Sequence, residues 1–260
     1  MSDGVSPPEP APPDDPEHTE GQPFVEHLVE LRSRLLKALL AIAVCAIALG
    51  VYPGPAALFD LLAAPLLAHL PQGGTLIATS VVSPFLVPLK VLLMAAFLLA
   101  LPVVLYQLWA FVAPGLYAHE KRWVLPLVVS STILFGLGVA FCYFFVFGRV
   151  FALIQSVAPS SIAATPDIDA YLDFVLTMFT AFGIAFEIPV AVVLLVRTGL
   201  VRVEQLRQLR RYFIVLAFVV AAIVTPPDVV SQLALALPMC VLYEVGILAA
   251  RWTAKGTRSP

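Results

Sequence analysis

Residues 171–196 read YLDFVLTMFTAFGIAFEIPVAVVLLV, and this stretch decides the fold. Beyond Asp173 it carries one ionisable side chain, Glu187. The run is continuously apolar and long, without the alternation of apolar and polar residues that a barrel strand shows. In hydrocarbon every backbone N–H and C=O has to be paired internally, which leaves only helices or a closed barrel. A run of this length and uniformity is therefore a membrane-spanning helix. The whole chain agrees: of its 260 residues 60% are hydrophobic and 12% charged, with mean hydropathy +0.96. A soluble domain is about half apolar and about a quarter charged.

Outward from this stretch the same pattern recurs. Apolar spans are expected at 35–51, 88–112, 123–147, 171–196, 212–224 and 229–250, giving an all-α integral membrane protein of six transmembrane helices. Pro102 interrupts the second span. Loop 1 at 52–83 carries Pro53, Pro55, Pro65 and Pro71 with a Gln72-Gly73-Gly74 turn. Loop 3 ends in Thr165-Pro166-Asp167, a helix start with Pro in the first turn. Before the first span, FVEHLVELRSRLL at 24–36 places Phe24, Leu28, Leu31 and Leu35 at helical spacing among charges. It reads as an amphipathic surface helix over about 24–34. Residues 1–22, acidic, Pro-rich and without Lys or Arg, read as a disordered tail. They fit neither a secretory signal nor a transit peptide. The membrane domain then covers 23–251, and 252–260 is a short basic tail. No internal repeat supports an inverted-repeat transporter.

Lys and Arg set the orientation. Thirteen of the fifteen fall on one side: Arg32, Arg34, Lys37, Lys121, Arg122, Arg197, Arg202, Arg207, Arg210, Arg211, Arg251, Lys255 and Arg258. Only Lys90 and Arg149 lie near the alternate loops. Both termini are expected in the cytoplasm. The fifth span, about 13 residues, covers roughly 20 Å at about 1.5 Å per residue, against a hydrocarbon core of about 30 Å. Either the V–VI hairpin stops short of the outer surface or thins the bilayer around it, or Arg210, Arg211 and the Thr225-Pro226-Pro227-Asp228 turn are partly inserted, with the ends snorkelling.

Glu187 is the sharpest candidate. A carboxylate at the bilayer centre costs about 2.5 kcal/mol or more, and such residues face a cavity or a polar partner. Pro189 follows and should kink the helix. The functional reading is a polar notch in a concave bundle wall; the bland one is a protonated Glu bonded to a neighbouring helix. Gln232 suits a helix–helix hydrogen bond, and Glu244 a pairing with Arg251. Glu30 and Glu120, amid basic residues, are solvated charges by default. Tyr106, Trp109, Phe111 and Tyr117 nearby read as an interfacial aromatic belt. Carboxylates beside aromatics also suit a cationic peptide, because Arg prefers carboxylates and stacks on rings. Cys45, Cys142 and Cys240 lie in apolar runs and suggest neither disulfide nor metal. All four histidines lie outside the spans, which disfavours an intramembrane Ser–His or zinc protease, and no GxxxxGK[ST] loop exists for ATP hydrolysis. No voltage sensor or filter loop is present.

Several ordered segments carry a resemblance: HLVELRSRLL at 27–36, APLL at 64–67, SPFLVPLK at 83–90, LYQLWAFVAPGLYAHEKR at 105–122, FGIAFEIPVAVVLL at 182–195, TPPDVVSQLALALPM at 225–239 and YEVGI at 243–247. On these the chain resembles the TatC family, the C subunit of the twin-arginine protein translocase. The resemblance implies a signal-peptide receptor that exports folded proteins on the proton-motive force, not an enzyme and with no cofactor. It implies that Glu30 and Glu120 hold the paired arginines and that Phe111 lines their site. Glu187 becomes the intramembrane glutamate of a concave face. Gln232 and Thr225 would belong to a docking surface for single-span partner subunits of the TatA/TatB type, with Pro65, Pro114, Pro189 and Asp228 structural. The expected location is the bacterial plasma (inner) membrane, with self-association in the receptor complex. The runner-up is a proton-coupled secondary transporter of a small substrate, with Glu187 as its coupling site. A structural scaffold is third.

Overall fold

The computed structural model describes residues 21–67, 76–112, 124–157, 166–225 and 228–255. The N-terminal tail up to residue 20, Pro114, Glu120 and the last five residues lie outside this set. The described residues are helical, with one isolated parallel bridge between Ile77 and Asp167. In chain order the helices are α1 (Gly21–Val51), α2 (Pro55–Leu67), α3 (Ser83–Val112), α4 (Val124–Phe141), a π-turn (Cys142–Val146), α5 (Phe147–Val157), α6 (Ile168–Phe186), α7 (Ile188–Arg197), α8 (Val203–Gln208), α9 (Arg210–Val224) and α10 (Val229–Lys255).

Five stretches are long and apolar enough to cross a bilayer: Leu28–Val51, Ser83–Phe111, Leu125–Ala152, Ile168–Arg197 and Val229–Thr253. A further apolar helix, α9, has 15 residues, about 22 Å of rise. Large apolar side chains cover the outside, among them Ile47, Phe85, Leu125, Val215 and Val241, each more than 60% exposed. A surface of that kind needs a non-aqueous solvent.

Three expectations change. The amphipathic segment at 24–34 is not a separate surface helix. It is the first third of α1, which runs unbroken from Gly21 to Val51, because Pro23 sits in its first turn and no later Pro interrupts it. Loop 1 is not irregular throughout: α2 occupies Pro55–Leu67, starting at a proline, whose fixed φ suits a first helical position. Helix α6 begins at Ile168 with Asp167 as its N-cap, so Pro166 precedes the cap instead of entering the first turn.

Helix α3 lies against α1, α4 against α6, and α10 against both α7 and α9. Glycines bring α4 and α6 together. A Cβ at Gly138 would stand 2.5 Å from the Phe182 carbonyl oxygen, and one at Gly183 would stand 2.3 Å from Phe135 Cζ. This is the small-residue contact that membrane helices use in place of hydrophobic collapse. In the core Phe147 stacks on Phe179 with ring centroids 5.4 Å apart, and meets Phe151 and Phe174. The buried face of the α4–α5 segment advances by three or four residues through Val128, Ser131, Phe135, Gly138, Cys142 and Val146, and at the end of the π-turn Phe147, five residues after Cys142, is buried beside Val146.

One polar clasp closes the end carrying the α6 N-terminus. Asp167 Oδ1 accepts from the backbone N–H groups of Asp169 and Ala170 at 2.9 and 3.0 Å. Its Oδ2 accepts from the Thr79 hydroxyl at 2.6 Å and the Thr79 N–H at 3.1 Å. The Thr79 hydroxyl bond, with the backbone donors, holds the Asp167 carboxyl below its ordinary range. Ser83 donates to Asp169, and Lys90 Nζ meets Asp173 at 2.9 Å. Lys90, an exception to the one-sided distribution of cations, is thus satisfied by a neighbouring helix.

Candidate functional site

Glu187 sits in the break between α6 and α7. Its backbone stays helical (φ −75°, ψ −12°), but Pro189 two residues on has no N–H to return to the Ala185 carbonyl, so the helix is interrupted there. The Glu187 side chain reaches α4, where the Ser131 hydroxyl donates to Oε2 at 2.7 Å. Ser131 in turn accepts from the Trp109 indole N–H of α3 at 2.8 Å. Three segments are thus joined by two hydrogen bonds inside an apolar cluster containing Leu101, Leu105, Val128, Phe135, Val190 and Leu194. Ser131 is fully buried and Trp109 is 7% exposed. The other carboxylate oxygen, Oε1, is buried with no hydrogen-bond partner among the described residues. Leaving an acceptor unpaired away from water costs about 1–3 kcal/mol. The arrangement can accept a hydrogen bond from a further donor or hold a proton.

Trp109 is therefore not a member of an interfacial belt: it is buried and bonded inward. Ser131 escaped the sequence reading because a serine in an apolar span carries no charge. The available signal was the Ser130-Ser131-Thr132 cluster, three hydroxyls in a row within a span.

At one end of the bundle stands Glu30. Its Oε1 accepts from Arg34 Nε at 2.8 Å and Nη2 at 2.6 Å. Helices α1 and α3 run antiparallel, and a Cβ at Gly50 would lie 3.7 Å from Leu92 Cδ2. From that contact Glu30 is twenty residues back along α1 and Phe111 nineteen forward along α3, each about 30 Å at 1.5 Å per residue. Glu30 and the half-buried Phe111 thus lie at the same end of the bundle. Glu120, expected beside them, is outside the described residues.

The α9–α10 hairpin holds the remaining candidates. Thr225 is buried, and its hydroxyl donates to the Ala221 carbonyl at 2.8 Å where α9 ends. Asp228 Oδ1 accepts from the Ser231 N–H at 2.6 Å, starting α10. Gln232 Nε2 donates to the Phe218 carbonyl at 3.2 Å, tying the two helices together. Glu244 pairs with Arg210 at 2.5 Å and not with Arg251, because Arg210 approaches from the start of α9. Pro65 lies in α2 and Pro189 is buried in the second position of α7. No cluster of three or more metal-ligating side chains occurs among the described residues.

The family model described as Sec-independent protein translocase protein (TatC) matches residues 26–238. The chain is 48% identical over 231 residues to the Sec-independent protein translocase protein TatC of Escherichia coli strain K12, covering 89% of each. It is 47% identical over 233 residues to the Haemophilus influenzae protein of that name, covering 90% of each. With the Halothiobacillus neapolitanus protein of the same name it shares 53% identity over 229 residues, and there it spans 62% of a longer chain. Among solved structures it is similar to a crystal structure of a twin arginine translocase receptor TatC. The TM-score is 0.74 at 39% identity, covering 88% of this chain and 99% of that one.

Proposed function

The chain belongs to the TatC family of Sec-independent protein translocases, as a multi-pass membrane component of protein transport and not an enzyme, and within that family we propose that it is the signal-peptide receptor and core subunit of a twin-arginine translocase. It carries folded proteins across the bacterial plasma (inner) membrane on the proton-motive force, with both termini in the cytoplasm. Its partners are single-span subunits of the TatA/TatB type and further copies of itself.

The observation that carries this reading is the state of Glu30. Its carboxylate already takes two N–H bonds from a guanidinium, at the bundle end that also holds Phe111. A signal-peptide arginine offers the same donor fork and can exchange with Arg34, a pairing of neighbours one helical turn apart that is worth only about 0.3–0.5 kcal/mol. Glu120 is proposed as the second acceptor, so that two carboxylates meet two guanidiniums. Glu187, with Oε1 short of a donor, is proposed as the contact for a polar side chain on a partner helix, and the Thr225 and Gln232 region as the docking face beside it.

The test is photo-crosslinking of a twin-arginine signal peptide to a probe at position 111, which leaves both carboxylates in place, in membranes containing the partner subunits, beside a twin-lysine control. The crosslink should require both arginines. It should fall about tenfold or more in Glu30→Ala/Glu120→Ala, since hydrogen bonds to charged groups contribute about 1.5–3 kcal/mol each. Glu187→Ala should keep the crosslink and lose transport. An arginine-independent crosslink, with the protein inserted and its partners present, would sink the receptor reading. The proton-coupled transporter would then move to first place.

A further inference from the structure

Beside the Arg210–Glu244 pair, at the end of the bundle opposite the Thr225 and Asp228 turn, lies a cavity of about 510 Å³. Its rim is charged, with Arg210, Glu244 and Arg251. Its floor is apolar, with Cys240, Val245 and Leu248. Glu244 neutralises only one of the two guanidiniums. Arg251 is half-buried and has no hydrogen-bond or ion-pair partner among the described residues. Arg210 is under-satisfied as well, for its Nε is buried without an acceptor, while its side chain remains 41% exposed to an incoming group. The rim therefore carries one surplus positive charge. It stands where the apolar stretch of α10 closes at Thr253, the level of a phospholipid head group.

Long cationic side chains often lay their stems along apolar surface and keep the charge in water. Here a second condition is met: the apolar floor opens sideways onto Val241, Val245 and Leu248, which are 62%, 48% and 47% exposed on a face that looks into hydrocarbon. Basic pockets between helices at the membrane surface recognise anionic head groups. We propose that this cavity is a binding site for an anionic phospholipid. Its phosphate lies on Arg251 and the exposed edge of Arg210, and its glycerol and first acyl carbons lie on Cys240, Val245 and Leu248. Charge complementarity selects an anion, and the membrane-facing floor selects a lipid over a soluble phosphate, which would leave that floor uncovered. The site is separate from the Glu30 end of α1 and from Glu187, and does not depend on the receptor reading.

The experiment is native mass spectrometry of the full chain released from detergent, with equal amounts of phosphatidylglycerol and phosphatidylcholine. The native chain should retain phosphatidylglycerol about fivefold more than phosphatidylcholine, the expectation for one uncompensated arginine. Arg251→Gln should abolish the preference and Arg251→Lys should keep it. Val245→Trp, which fills the floor and leaves every charge in place, should lower retention, so the proposal stays testable should Arg251→Gln fold poorly. Excess glycerol 3-phosphate should leave the lipid bound. Equal retention of the two lipids by the native chain overturns the proposal, as does an unchanged preference in Arg251→Gln together with unchanged retention in Val245→Trp. Full displacement of lipid by glycerol 3-phosphate would make it a soluble-phosphate site and overturn it too.

Discussion

Replacing Ser131 by Ala removes one oxygen and strands two polar groups. The Trp109 indole N–H loses its acceptor at 2.8 Å and Glu187 Oε2 loses its donor at 2.7 Å. Glu187 Oε1 already lacks a partner, so the variant carboxyl has no described donor. Interhelical hydrogen bonds in membranes average about 0.6 kcal/mol, with a maximum near 1.7 kcal/mol. Two such bonds give about 1–3 kcal/mol. Trp109→Phe is the control, since Ser131 keeps its bond to Glu187 and only the indole bond is lost, with some packing. Unfolding of the purified chain in mixed micelles, followed by circular dichroism, measures the difference. A double-mutant cycle of Ser131→Ala with Glu187→Ala, which removes the acceptor that Gln would keep, isolates the pair, and a coupling of at least about 0.5 kcal/mol is expected for residues in contact. Additivity within about 0.3 kcal/mol would refute the claim that Ser131 sets the orientation of Glu187.

Three further outcomes are expected. Gly138→Ala should destabilise by about 1–3 kcal/mol, since its Cβ would press on the Phe182 carbonyl oxygen at 2.5 Å and backbone cannot yield as a side chain does. Gly136→Ala, with nothing within 4 Å of its Cβ, should be neutral or gain up to about 1 kcal/mol from helix propensity; the same micelle unfolding separates the two. Asp167 titrates below its ordinary value of 3.8, so its clasp to Thr79 stabilises the fold above that value and is lost as pH falls through the lower folded value. Hydrogen exchange at the Thr79 and Ala170 amides should stay slow from pH 7 to about 4 after correction for intrinsic rates, and quicken below it. Unchanged protection at pH 2 would contradict the assignment.

The spans were legible because their signal is repeated over twenty or more residues, and a bilayer leaves the backbone no alternative to helix. Even the shortness of α9 could be read from the distance between Arg211 and Thr225. The failures have local causes. Helix α2 was hidden by the prolines around it, although Pro55 marks its first turn and Pro65 falls near its end. The unbroken α1 was divided by a change of composition that has no counterpart in the backbone. Within the Glu187 site, the carboxylate and the break at Pro189 were readable because charge and missing N–H groups are properties of single residues. The partners Ser131 and Trp109 were not, because a hydrogen bond across helices depends on rotation and depth, which spacing along one helix does not encode. The same holds for Glu244: Arg251 is nearer in sequence, but Arg210 is brought in by the turn before α9.

The π-turn at Cys142–Val146 carries a consequence for how this chain can change over time. An α-helix advances about 100° per residue, so one added residue resets the phase of everything after it. Because of that offset, one continuous segment directs Phe135 and Gly138 toward α6 and then turns Phe147 and Phe151 into the aromatic core. Substitutions at the outward Phe144 and Phe145, 73% and 58% exposed, leave that phase alone. Loss of either residue from the chain would swing the whole of α5 by a quarter turn and expose Phe147. Across these five positions, residue number is under tighter constraint than residue identity.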